Sequence, residues 1–164
     1  MKHDESALVK QALRDAREQL QRVGRLLPAA YMLVTNNPQT GAPLTYPTAI
    51  GSVCDAPFKS QAEYDEYLAM LRAEVVRLGA TAIALAAEAT AEVETKQGVE
   101  QRRVLLLRVE DHVGVEQLHA AIDVDEHGQA RLGKLLADAG ASDILPAPLL
   151  PALPALPALP TTQA

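Results

Sequence analysis

"TAIALAAEATAEV" (residues 81–93) and "RRVLLLRVE" (residues 102–110) decide the fold of this chain. Two further runs, "VEQLHAAIDV" (115–124) and "QARLGKLLA" (129–137), follow them after short connections. Apolar runs of this length, bounded by turn-forming residues, are typical of strands. Because short connections join antiparallel neighbours, the C-terminal half predicts an antiparallel meander.

The register of the first hairpin depends on the position of its loop. With Gly98 at the apex, Glu88 lies opposite Arg108. In the same register, alternate side chains of the two strands lie on one face of the sheet: Ile83, Leu85, Ala87 and Ala89 with Leu105, Leu107 and Val109. Since a slip of one residue exchanges the two faces of a strand, this register also predicts which side chains are buried.

The last hairpin has a clearer turn signal. "EHG" (residues 126–128) is a three-residue loop with glycine at the position that favours a positive φ. This loop pairs Ile122 with Leu132 and Asp123 with Arg131, so an apolar pair lies on one face and an ion pair on the other.

Two helices are predicted in the N-terminal half. Residues 4–27 place their apolar side chains within one arc at 100° per residue, as an amphipathic helix requires: Val9, Ala12, Leu13, Ala16, Leu20, Val23 and Leu27. The second helix begins after Ser60, which forms a capping box with Glu63, and ends at Gly79. Its apolar stripe includes Tyr64 and Tyr67, which we interpret as core residues.

A hairpin is predicted between the helices. "YMLVT" (31–35) and "LTYPTAI" (44–50) are rich in β-branched and aromatic residues, and the turn formers "NNPQTGAP" separate them. Pro47 cannot donate to a strand ladder, so the second strand is expected either to lie at a sheet edge or to be broken at this proline.

These elements predict an α+β fold of two layers. A mostly antiparallel sheet of five to six strands would carry both helices on one face. Residues 1–140 form this single domain, and residues 141–164 form a Pro/Ala/Leu-rich tail.

Charge and composition exclude several classes of partner. The net charge of -6 and the isoelectric point near 5.2 argue against nucleic-acid binding. Cys54 is the single cysteine, so neither an intramolecular disulfide nor a cysteine-based zinc site is possible. The start, "MKHDESALVK", has charges where a secretory signal needs an apolar run. We therefore expect a soluble cytoplasmic protein that binds neither nucleic acid nor membrane.

The tail contains a three-residue repeat, "PALPALPALP" (151–160). Its prolines exclude a membrane-spanning helix, but they suit polyproline II, which has about three residues per turn. In that conformation Leu150, Leu153, Leu156 and Leu159 form one apolar ridge. The ridge could bind this domain, a second copy or an unknown protein partner, or the tail could remain a disordered extension.

Motifs for nucleotide binding, serine hydrolysis and zinc proteolysis are absent from the sequence. Glu88 is the most suggestive carboxylate because it interrupts an alanine-rich strand, where burial would raise its pKa. The alternative is a cross-strand ion pair with Arg108. "EDHVGVEQLH" (110–119) also offers His112, Glu116 and His119, but Glu116 and His119 would point to opposite faces of a strand. We expect no bound metal and no cofactor, and we assign no catalytic residue. Glu88 and His119 are weak candidates for a catalytic role.

The runs "GATAIALAAEAT" (79–90), "RRVLLLRVEDHVG" (102–114) and "ARLGK" (130–134) resemble a group of uncharacterised small bacterial and phage proteins. In that group a helix precedes a strand ending in Glu-Ala-Trp, where this chain has Glu88-Ala89-Thr90, and a meander follows. The resemblance covers residues 58–136 and implies no activity.

Two functions remain open. The first is a non-enzymatic accessory or interaction protein that self-associates, because Val104 and Leu106 would leave an apolar patch on the second sheet face. The second is a small metal-dependent hydrolase that uses Glu88 with His112 or His119.

Overall fold

A computed structural model of the chain describes residues 7–137. Its elements are α1 (Ala7–Arg22), β1 (Ala29–Asn36), β2 (Pro43–Val53), α2 (Gln61–Leu78), β3 (Ala82–Thr95), β4 (Gly98–Glu110), β5 (Val115–Val124), β6 (Ala130–Leu132) and β7 (Leu136–Ala137). The strands form one antiparallel sheet in the order β2-β1-β3-β4-β5-β6, and β7 also pairs with β5. The fold is therefore α+β and mostly antiparallel sheet, and the predicted meander and edge strand β2 are confirmed.

Local signals fix both ends of α2. The Glu63 N–H donates to Ser60 Oγ at 3.2 Å, and the Glu63 carboxylate accepts from the Lys59 N–H at 3.2 Å. At the other end Gly79 has φ 60°, and its N–H donates to the carbonyls of Val75 and Val76. The left-handed conformation favours glycine, so the predicted start and end of this helix are confirmed.

The two helices pack on opposite faces of the sheet, which corrects the prediction that both lie on one face. One core cluster joins Leu8, Val9, Ala12, Ala16 and Leu20 of α1 to Tyr31, Ala84, Ala86, Leu105, Leu107 and Val109. A second cluster joins Leu68, Leu71, Val75 and Leu78 of α2 to Ala30, Met32, Val34, Ile83 and Leu85. Successive residues of a strand point to opposite faces. Because β1 and β3 are apolar on both faces, each face needs its own helix.

The predicted register of the β3–β4 hairpin is wrong. Thr95 pairs with Gly98, so the loop is the two residues Lys96 and Gln97 rather than a loop centred on Gly98. Thr95 Oγ1 donates to the Gly98 carbonyl at 2.8 Å, and Gly98 has φ 114°. Glu88 consequently lies opposite Leu105, not Arg108. The observed partner of Glu88 lies three positions before the predicted one on β4. Because three is an odd number, the side chains of β3 that share a face with Leu105 are the alternate set to those predicted.

The face predicted to be buried on β4 is nevertheless correct. Leu105, Leu107 and Val109 are fully buried, but their neighbours on β3 are Ala84 and Ala86 instead of Ile83 and Leu85.

The last hairpin is confirmed in register. Ile122 pairs with Leu132 and Asp123 with Arg131, and Gly128 has φ 78°. The run 129–137 is not one strand, however, because residues 133–135 separate β6 from β7. Both short strands pair with β5.

The first helix is shorter than predicted at its C-terminal end. It ends at Arg22, and Gly24 follows with φ 83°. Val23 is consequently exposed and does not contribute to the buried face of α1.

Among residues 7–137, no helix combines the length and the apolar character needed to cross a membrane. The predicted tail, with Leu150, Leu153, Leu156 and Leu159, lies outside these residues.

We expect Leu107→Ala to lower the free energy of unfolding by about 2–5 kcal/mol, because Leu107 is fully buried between α1 and the sheet. Urea unfolding measures this change. Val113→Ala is the control, since Val113 is 79 % exposed and its truncation should cost less than about 0.5 kcal/mol. Equal losses in the two variants would contradict the observed burial.

Candidate functional site

Glu88 and Arg103 form a two-pronged ion pair across the β3–β4 hairpin. Arg103 Nη2 lies 2.9 Å from Glu88 Oε1, and Arg103 Nε lies 2.9 Å from Glu88 Oε2. Both side chains are partly buried. Two parallel N–H···O bonds fix the orientation of both groups, which makes this pair more specific than a single charge contact.

The connection between α1 and β1 completes the site. The Leu26 N–H donates to Glu88 Oε1 at 3.0 Å, and Arg103 Nη2 donates to the Gly24 carbonyl at 2.7 Å. The ion pair thus supplies partners for two backbone groups of the connection. This clamp, defined as Glu88, Arg103 and the backbone of Gly24 and Leu26, ties α1 to the hairpin.

The clamp keeps Glu88 ionised. Burial alone would raise the pKa of Glu88, but the hydrogen bonds from Arg103 and the Leu26 amide, together with the Arg103 charge, outweigh it and lower the pKa. The hydrogen bond to Glu88 in turn raises the pKa of Arg103. The expectation of a raised pKa for Glu88 is wrong, and so is its assignment to Arg108. A carboxylate held in this way is poorly suited to proton transfer near neutral pH.

Arg108 has a different partner. Its Nη2 lies 3.3 Å from Glu110 Oε1, and both residues are buried on the face opposite Glu88. The two residues are separated by one position on β4, so their side chains share a face.

The histidines do not join Glu88. His119 pairs with Leu106 and therefore lies on the other face of the sheet from Glu88, which pairs with Leu105. His112 is exposed in the turn before β5. Glu116 and His119 point to opposite faces, as predicted. Within residues 7–137 no three His, Cys, Asp or Glu residues are arranged to hold a metal ion.

The aromatic residues of α2 pack against the second core cluster. Tyr64 and Tyr67 lie there with Phe58, whose ring centroid is 5.2 Å from that of Tyr64 and 5.0 Å from that of Tyr67. Cys54 is near Tyr67, and burial raises the pKa of its thiol. A thiol that stays protonated is a weak nucleophile.

Beyond the clamp the hairpin projects from the sheet. β1 pairs with β3 only over Ala82–Ala86, and β5 pairs with β4 only over Val104–Glu110. Within the described chain, residues 90–103 therefore pair only with each other. We call residues 90–102 the arm. No other strand within residues 7–137 pairs with either outer edge of the arm, and Val99 on it is 62 % exposed.

Arg103 is the site residue that the sequence interpretation missed. A two-residue loop places Arg103 opposite Thr90, diagonal to Glu88 on the same face. The signal was the position of the loop, because closing at Lys96 and Gln97 instead of at Gly98 changes the register.

Comparisons with protein-family models, with curated proteins and with solved structures found no match. The resemblance to small bacterial and phage proteins stays a prediction.

We expect Glu88→Gln to lower the free energy of unfolding at neutral pH by about 1–2 kcal/mol, because the variant loses the charge of a partly exposed ion pair. Since folding lowers the pKa of Glu88 from its ordinary value of 4.5, its contribution is complete above that value. The contribution is lost as the pH falls through the lower pKa of the folded state. The difference between wild type and variant should therefore shrink in acid.

Urea unfolding from about pH 7 to about pH 3 measures this dependence. Glu18→Gln is the matched control, because Glu18 forms an exposed ion pair with Arg22 at 3.3 Å, away from the hairpin. Its effect should be smaller throughout. A Glu88→Gln difference that does not change with pH would contradict the clamp.

Proposed function

We propose that this protein is a non-enzymatic interaction protein that self-associates, and that the arm is the surface through which two copies pair. The observation that carries the proposal is the projecting two-stranded arm with open backbone edges. Such edges are templates for pairing with another strand. The clamp lies at the base of the arm and holds this end of the hairpin against the connection between α1 and β1.

The edge of the sheet at β2 is less suited to this role. β2 contains Pro43 and Pro47, and its pairing with β1 is irregular between Val34 and Asn36. Prolines and irregular pairing are features that keep an edge strand from pairing with a strand of another molecule. The arm contains no proline.

A second copy complements the arm in charge. If the outer edges of two β4 strands pair antiparallel about Gln101, Glu100 of each copy lies opposite Arg102 of the other. Opposite charges at facing positions stabilise antiparallel pairs. Such a contact is the same surface on both copies, which closes a two-fold dimer.

The reason first given for self-association does not support it. Val104 and Leu106 are 6 % and 7 % exposed in the whole chain, so they do not form an open apolar patch. The arm replaces that patch as the basis of the proposal.

The hydrolase alternative gains no support from the geometry. Glu88 is held by Arg103 and by a backbone amide, and His119 lies on the opposite face.

We expect Val99→Lys to convert a dimer into a monomer, with the dissociation constant rising about tenfold or more. In the proposed pairing Val99 faces Arg103 of the other copy, so the variant places like charges opposite each other. Within its own hairpin Val99 pairs with Glu94, and a lysine there should not disturb folding. Native mass spectrometry and sedimentation over a range of concentrations measure the change.

Val113→Lys is the matched control, because it adds the same charge at another exposed valine far from the arm. A second variant replaces residues 91–102 with Asn-Gly. It joins Thr90 to Arg103, which already pair, and keeps the clamp. This variant should be monomeric and as stable as wild type. A wild-type chain that stays monomeric at high concentration, or an arm deletion that stays dimeric, would reject the proposal.

A further inference from the structure

A cavity of about 440 Å³ lies between the C-terminal half of α1 and the edge strand β6. This volume is within the range of cavities that hold small molecules. Leu20 of α1 lines one side, and Ala130 and Leu132 of β6 line the other. All three belong to the α1 core cluster or pack against it, so they give the cavity an apolar base.

The edge of β6 presents backbone N–H groups to this cavity. The Gly133 N–H donates to the Ala121 carbonyl at 2.8 Å, which makes these two residues a hydrogen-bonded pair of the ladder with β5. Because bonded and non-bonded pairs alternate along an antiparallel ladder, the N–H groups of Leu132 and Ala130 point away from β5. Within residues 7–137 neither N–H has a hydrogen-bond partner.

Positive charge lies at the rim of the cavity. Arg17 is exposed there, and within the described part of the chain it forms neither a hydrogen bond nor an ion pair. None of the described lining residues is acidic. Asp15 and Glu18, the acidic residues beside Arg17 on α1, line a different cavity. An unpaired guanidinium group and open N–H groups both favour a ligand with negatively charged oxygen atoms.

We propose that this cavity binds a small organic acid, whose carboxylate contacts Arg17 and the open N–H edge of β6 and whose apolar body packs on Leu20. Arg131 also lines the cavity, but Asp125 balances its charge at 3.2 Å. One unpaired cation suits the single charge of a carboxylate better than the higher charge of a phosphate. No residue of the arm is among the described lining residues, so this inference goes beyond self-association and does not depend on it.

Titration of the full-length chain with hexanoate, followed by backbone amide NMR, tests the proposal. We expect saturable shift changes centred on residues 17–21 and 129–132, with a dissociation constant of about 1 mM. Hexanol lacks the charge and acetate lacks the apolar body, so each should bind about tenfold more weakly. Absence of saturation, changes centred elsewhere, or equal binding of hexanol or acetate would overturn the proposal. Tighter binding of hexyl phosphate would overturn the choice of a carboxylate.

A matched pair of variants tests the role of the charge. Arg17→Gln should weaken hexanoate binding about tenfold, because the carboxylate loses its cation. Since Arg17 is exposed and unpaired within the described residues, this variant should fold as wild type does. Arg72→Gln is the control, because it removes the same charge from an exposed position on α2, which packs on the other face of the sheet. It should leave the affinity unchanged.

Equal affinities of the two variants for hexanoate would overturn the proposal. Because hexanoate binding is measured by amide shifts and self-association by mass, failure of this proposal and failure of the arm are distinguishable.

Discussion

The backbone pairing of β3 with β4 is the constraint on which the rest of the structure depends. The ladder runs without interruption from Ile83–Glu110 to Thr95–Gly98 and closes in a two-residue loop. Because side chains alternate along a strand, this register sends Leu107 toward α1 and Leu85 toward α2. The centre of the sheet is thus apolar on both faces and needs cover on both.

The same register determines what Glu88 can do. Its position on β3 faces the α1 side, where a carboxylate without partners would be costly to bury. Arg103 on the neighbouring strand and the Leu26 amide satisfy it. The ion pair lies where the packed sheet gives way to the arm, so it stabilises the junction between a buried ladder and an exposed one. Both carboxylate oxygens of Glu88 accept hydrogen bonds from these partners.

The arm and the second face of β4 differ in what they expose. Among the described strands, the arm presents backbone edges that no other strand covers, and such edges are templates for pairing. Val104 and Leu106 on the second face of β4 are buried, so they present no comparable surface.

Local patterns in the sequence determined the elements of this protein. The capping residues fixed the ends of α2, and "EHG" fixed the register of the last hairpin, because each signal acts within a few residues. Tertiary structure alone decided the face that each helix covers and the partner of Glu88. The partner of Glu88 follows from the position of the loop between β3 and β4, which the residues leave open, and a shift of one residue would exchange the faces of a whole strand. Local chemistry cannot choose between such registers, whereas packing against two helices can.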